Sequence, residues 1–264
     1  MKRLLMALLL WAAPGQAHEF WIDPLSTQVV PGAPLMADIR VGQDLKGPAY
    51  SYIPPNFSRF DIVLGDQTLP VEGRGGDKPA LNMAVPGEGL AVVVHVTKDY
   101  KLTYTEWEKF VNFCTHKDFE WVLQAHLDRG FSQEKVREQY SRHAKSLIAI
   151  GEGAGSDREI GLEVELVALA NPYIDDVSGG FPVRALYQGK AQANMQVELF
   201  DRAPDGSVEV RQYRTDDTGR ALLEVEPGHF YLADHVVMRE MTPEADTDPA
   251  WESLWASLTF GVPE

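Results

Sequence analysis

The hydrophobic pattern along the chain changes period twice, and the changes divide it. From residue 18 to about 104, apolar residues come in short runs or alternate with polar ones, which predicts strands. Residues 35–41, 60–64 and 90–97 are the clearest extended runs, punctuated by Pro31-Gly32, Pro54-Pro55, Gly75-Gly76 and Pro86-Gly87. Ala91-Val92-Val93-Val94-His95-Val96 is nearly continuous and β-branched, as expected of a central strand buried on both faces.

Between about 105 and 147 the period becomes three and four, predicting a short helical insertion. Thr105 and Glu108 form a capping box, so a helix is expected from Glu106, with Trp107, Phe110, Val111 and Cys114 on one face. A second helix is expected over about 118–129, with Phe119, Val122, Leu123, His126 and Leu127 along its stripe and Gly130 ending it. A third is expected after Ser132, turning Val136, Tyr140, Ala144 and Leu147 inward. The insertion is too short to be a domain and should pack on the first β unit.

Residues 151–158, rich in glycine and charge, read as a linker. Beyond them Leu162, Val164 and Leu166 alternate with Glu163 and Glu165, the pattern of a half-buried strand. Further strands are expected at 182–187, 195–200, 208–213, 221–225, 230–238 and 257–262, a spacing that suggests a β-sandwich. The turn Thr215-Asp216-Asp217-Thr218-Gly219-Arg220, followed by Pro227-Gly228 and Tyr231, resembles small transthyretin-like or carboxypeptidase-regulatory-like sandwiches. The expected fold is mainly β: two Ig-like or transthyretin-like β-sandwich domains, 18–150 and 159–264, with the helical insertion in the first.

The first seventeen residues read as a signal peptide. Lys2 and Arg3 precede an apolar stretch over 4–13, and Gly15 and Ala17 stand at −3 and −1 of a cleavage site. Cleavage after Ala17 predicts an exported, periplasmic chain whose first residue is His18. The apolar stretch is too short to span a bilayer and no other stretch is apolar enough, so stable membrane insertion is not expected.

The formal net charge is −15, and removal of residues 1–17, which carry Lys2 and Arg3 and no acid, makes it −17. Such a chain lacks a basic footprint for nucleic acid and repels anionic lipid, whereas cations are its natural partners. One cysteine, Cys114, excludes an internal disulfide, and its neighbours Phe110, Val111 and Phe113 point to a buried, inert thiol.

His18 is the most informative candidate. At a processed terminus its α-amine and ring Nδ1 can close a chelate on one ion, and the amine gives up its proton readily. Imidazole and amine nitrogens suit nickel, cobalt, copper and zinc. Phe20, Trp21 and Ile22 come next and would anchor the segment. His95 and His235 are the further candidate metal ligands, each also consistent with a core histidine. His126 sits on the apolar stripe of its helix and reads as packing with one hydrogen bond. No two histidines stand at helical ligand spacing, so a site must be assembled from distant segments. Enzymatic signatures are absent: there is no HExxH, GxSxG, phosphate-cradling glycine loop or cysteine-rich zinc pattern. Asp175-Asp176 and Asp216-Asp217 sit in turn contexts, where such residues bond their own backbone. Trp251 and Trp255, spaced four apart, read as a wall sealing the seam between domains.

His18-Glu19-Phe20-Trp21-Ile22-Asp23-Pro24 directly after a signal resembles the start of the DUF4198 family. The resemblance continues through Arg40-Val41-Gly42-Gln43, residues 106–110, Asn171-Pro172-Tyr173 and residues 251–260. It implies a periplasmic component of a nickel or cobalt uptake system, partnered by a membrane transporter. Family members often carry a histidine directly before the Met-Arg of the late strand. This chain has Val237 before Met238-Arg239 and places His235 two residues earlier, on the same strand face. The leading expectation is a non-enzymatic protein binding a divalent transition metal, nickel or cobalt. The alternatives are a histidine-brace copper enzyme and a metal-free β-sandwich interaction module.

Overall fold

The computed structural model describes residues 18–264; the expected signal segment lies outside them. In chain order the first half holds β1 (Glu19–Pro24), β2 (Gln28–Val29), β3 (Pro34–Gly42), β4 (Ala49–Tyr50), β5 (Phe57–Leu64), β6 (Gln67–Pro70), β7 (Leu81–Ala84), β8 (Gly89–Thr97) and β9 (Tyr100–Tyr104). Two helices come next, α1 (Trp107–His116) and α2 (Glu120–Asp128), and then the fifteen-residue strand β10 (Val136–Ile150). The second half holds β11 (Val164–Ala168), β12 (Phe181–Tyr187), β13 (Lys190–Ala191), β14 (Gln196–Arg202), β15 (Val208–Arg214), β16 (Arg220–Leu223), β17 (Phe230–Glu240) and β18 (Trp251–Gly261).

The fold is mainly β, built as layers on one ten-stranded sheet. Its order is β15-β14-β17-β18-β10-β8-β5-β6, with β2 and β9 also bonded to β10. A four-stranded sheet of β1, β3, β4 and β7 covers one face over β5, β8 and β10, where Phe20, Ile22, Leu35, Ile62 and Val93 form a core. A second four-stranded sheet of β11, β12, β13 and β16 covers the opposite face, where Val92, Val164, Phe181, Leu199 and Leu258 form another. Each pair of layers is a β-sandwich, and both share the middle sheet because β10 pairs in parallel with β18 from Glu138↔Trp251 to Ser146↔Thr259. Period-two alternation in β8 supplies both cores: Leu90, Val92 and Val94 go one way, Ala91 and Val93 the other.

The expected third helix is instead β10, and the reason is an ambiguity of period. Residues four apart share a helix face, but every multiple of two shares a strand face, so Val136, Tyr140 and Ala144 fit both. Leu147 separates the readings, since in the strand it enters the opposite core. The helical part is therefore confined to 107–128. Helix α1 begins one residue later than expected, with Glu106 at its cap and no side-chain capping bond. Trp251 and Trp255 do not seal the seam between sandwiches: they pack with Phe110, Phe113 and Val122 beneath the two helices.

The connection over 151–158 is pinned at several points. Lys145 in β10 donates to Asp157 and Glu165, all three buried, and Asp157 also accepts the Ala168 amide at 2.8 Å. Glu165 is thus drawn inward by a buried cation, where alternation alone would leave it half-exposed. Asn171 donates to the Gly153 and Gly155 carbonyls at 2.8 and 2.9 Å. No helix among the described residues is long and apolar enough to cross a membrane.

Candidate functional site

Strand β10 changes partners partway along one edge. Its residues 136–140 pair with β9 and 147–150 with β8, which also pairs with β5 along its other edge. In the interval the Arg142 amide is satisfied by the Thr97 hydroxyl at 3.0 Å in place of a ladder bond. Glu138, Tyr140 and Arg142 share one face of β10, between the apolar core under the helices and the core under β1. Two cavities of about 390 and 410 Å³ open there, and His18, Tyr140 and Arg142 line both. The first runs toward Tyr104, Phe113 and Trp255, the second toward Phe20, Phe57 and His95.

His18 is exposed but not free to wander. The next residue, Glu19, pairs with Gly42, and Trp21 and Ile22 are fully buried. Burial of such side chains contributes on the order of 1.5–3 kcal/mol each, which holds β1 in place. Arg142 Nη2 donates to the His18 carbonyl at 3.1 Å. The Arg142 guanidinium also lies 5.6 Å from the Phe20 ring centre and 5.0 Å from that of Tyr140. Its buried Nε has no hydrogen-bond partner, and no carboxylate among the described residues forms an ion pair with it. Burial accordingly pulls its pKa below the ordinary arginine value.

Behind His18 lies a buried charge cluster. Lys117, at the end of α1, donates to Glu198 of β14 and, at 2.9 Å, to Asp234 of β17. His116 Nε2 stands 3.1 Å from the other Glu198 oxygen. Burial pushes Glu198 upward, but the hydrogen bond from His116 and the charge of Lys117 outweigh it and bring the carboxyl down to about 2. Glu19 completes the cluster: burial raises its pKa to about 8, against the attraction of Lys117. It is therefore mostly protonated at neutral pH; burial raises Asp234 as well, against the charge of Lys117, so Glu198 is the carboxyl held most firmly ionised. Alongside, Glu138 accepts from the Tyr104 hydroxyl at 2.6 Å and from Ser253, and burial raises it to about 7.

Of the three expected metal ligands, the structure brings two to one cavity. His95 is buried among the rings of Phe20, Phe57 and Phe60, with Nδ1 unpartnered, and burial lowers its pKa to about 3. His18 and His95 line the same cavity. His235 lines none of the cavities described at His18: its strand face is that of Tyr231 and Ala233, against the second outer sheet. It donates from Nδ1 to the Gln196 carbonyl at 3.0 Å, its Nε2 is unpartnered, and burial lowers its pKa to about 4. Among the described residues no group of three or more His, Cys, Asp and Glu side chains is arranged to hold a metal ion.

His126 makes two hydrogen bonds rather than the expected one, donating from Nε2 to the Ser132 carbonyl and accepting from Trp251 Nε1 at 2.9 Å. Cys114 is buried, and burial pushes its thiol far up, away from reactivity. The residues that sequence reasoning missed are Arg142, Tyr140 and the Lys117 cluster. A strand reading of 136–150 would have put Glu138, Tyr140 and Arg142 on one face.

The profile of a family described as "Domain of unknown function (DUF4198)" matches residues 15–239. The chain belongs to the DUF4198 family. The DUF4198 match takes in β1, the helices, β10 and all of β17 but its last residue, and so covers His18, Arg142 and the Lys117 cluster; β18 lies beyond it. No curated protein matches the chain. The D0-D1 domain of intimin aligns with 92% of this DUF4198 chain and 97% of its own at 14% identity, with a TM-score of 0.24. Dimeric latent PorU from Porphyromonas gingivalis aligns with 91% of this chain and 20% of its own at 10% identity, with a TM-score of 0.19. At those scores neither carries an argument, and the β-sandwich architecture rests on the sheets themselves.

Proposed function

We propose that the processed chain is a periplasmic protein that binds a divalent transition metal, nickel or cobalt before copper, and hands it to a membrane uptake transporter. The observation that carries this reading is the placement of His18: exposed, held by β1 and by Arg142, at the opening shared by two cavities. Once cleavage after Ala17 frees the terminus, the α-amine and imidazole Nδ1 of this one residue offer two nitrogen donors from a fixed backbone.

A fixed chelate binds more tightly than a frayed one because its ordering entropy is already spent. His95 is the candidate for a further donor: it lines the same cavity as His18, is neutral, and its Nδ1 has no hydrogen-bond partner. His235 faces the other side of the sheet and has no part in this reading. The net charge of −17 after processing favours approach of a cation.

Equilibrium dialysis of the exported protein, its first residue fixed by mass, tests the proposal. One equivalent of nickel or cobalt should be retained, and His18→Ala should lose it. A wild-type protein that retains none of nickel, cobalt, copper or zinc overturns the reading.

A further inference from the structure

We infer that the metal enters this cleft as a complex with a small organic carboxylate, whose carboxylate group is received by Arg142. The inference rests on the reading of His18 as the metal anchor and deepens it. Three observations converge.

The first is a shortage of donors. His18 supplies two nitrogens, and even with His95 the described residues assemble no cluster of three ligand side chains. Nickel and cobalt ions take four to six donors, so other molecules must fill the remaining positions. The second is room. Cavities of about 390 and 410 Å³ flank His18, whereas a water occupies roughly 30 Å³, so the space suits a small organic molecule.

The third is charge. Arg142 lines both cavities, forms no ion pair among the described residues and keeps a buried Nε–H without an acceptor. A cation beside a metal site repels the bare ion. Two ring contacts and one carbonyl bond support the guanidinium, and Asp234, Glu19 and Glu138 act on it only at a distance, so it has no carboxylate in direct contact. A carboxylate resolves both problems, since it pairs with the planar fork of Arg142 and offsets the charge of the ion. Tyr140 and Tyr100, whose rings lie 5.5 Å apart, wall the space between.

Calorimetry of the processed protein with nickel chloride, citrate alone, nickel citrate and nickel–L-histidine tests this. At least one nickel complex should bind about tenfold or more tighter than nickel chloride, and citrate alone should bind weakly, as one charge-assisted pair predicts. Arg142→Gln should abolish that gain, read as the ratio of complex affinity to nickel chloride affinity within the same protein, and Arg142→Lys should restore only part of it.

If nickel chloride binds as tightly as both complexes, the inference fails while the metal reading stands. Unchanged affinity for the complexes in a folded Arg142→Gln protein overturns it too. Citrate bound without metal as tightly as with it overturns the role of the ion. If no form of nickel binds the wild-type protein, the underlying reading of His18 fails first.

Discussion

Arg142 and His18, separated by 124 positions in sequence, are joined by a hydrogen bond of 3.1 Å in which the guanidinium donates to the backbone carbonyl. The bond ties the start of β1 to the middle of β10, at the point where β10 is exchanging β9 for β8. The cleft results from that exchange. A strand that stayed paired along its whole edge would leave no gap, and the Arg142 amide would need no hydroxyl from Thr97.

The anchoring of His18 depends on the strand it begins. Within β1, Trp21 is fully buried with Leu45, Phe200, Phe230 and Leu232. Trp21→Ala should destabilise the fold by about 3–5 kcal/mol. Under native conditions it should also speed hydrogen exchange at the Glu19 and Phe20 amides. Urea unfolding and exchange mass spectrometry check the two effects, and unchanged exchange at β1 would contradict the anchoring.

The charge cluster predicts an ordering of variants. Lys117→Met removes the buried cation bonded to both Glu198 and Asp234 and should cost about 3–5 kcal/mol at pH 7. Glu19→Gln should cost less than about 1 kcal/mol at the same pH, because burial already keeps Glu19 protonated there. Thermal or urea unfolding of both proteins decides it. Equal costs would contradict the protonation assigned to Glu19.

Glu138 sets a pH dependence. Its pKa in the folded protein is about 7, raised by burial above the usual carboxylate value. As pH rises from about 4.5 toward 7 the unfolded chain releases this proton while the folded chain keeps it. The group's contribution is therefore complete below 4.5 and is lost as pH climbs through 7, at up to about 1.4 kcal/mol per pH unit. Glu138→Gln should flatten that part of the stability profile between pH 5 and 7.5. Urea midpoints across the range measure it, and parallel profiles for the two proteins would contradict the assignment.

Gly153 tests the rigidity of the connection between the halves. Its φ is +68°, and a Cβ there would lie 2.6 Å from the Ala149 Cβ. Gly153→Ala should cost about 2 kcal/mol or more from strain and overlap together, measured by urea unfolding. Gly161, also at positive φ but with open space around it, should lose less when changed to alanine.

Much of the fold was legible because strands buried on one or both faces leave period-two or continuous apolar runs, as in β3, β8, β11 and β17. The helices α1 and α2 were legible from their apolar stripes. Strand β10 was not, because Val136, Tyr140 and Ala144 satisfy two periods at once. That one ambiguity hid most of the site, since Glu138, Tyr140 and Arg142 converge only in a strand. His18 was legible from its place after a signal pattern and His95 from its strand. No local pattern announces the Lys117 cluster, whose members come from β1, α1, β14 and β17. His235 looked like a partner of His18 because sequence assigns a strand face without saying which outer sheet covers it.

The proposed metal binding turns on the α-amine of His18, freed by cleavage after Ala17, acting as a donor. The most direct test compares calorimetric titration of the processed protein with nickel, cobalt, copper and zinc against the same protein carrying one extra residue before His18. Nickel or cobalt should bind the first, with a loss of at least tenfold in the second, where the amine has become an amide. Equal affinity in the two proteins would contradict the role of the amine.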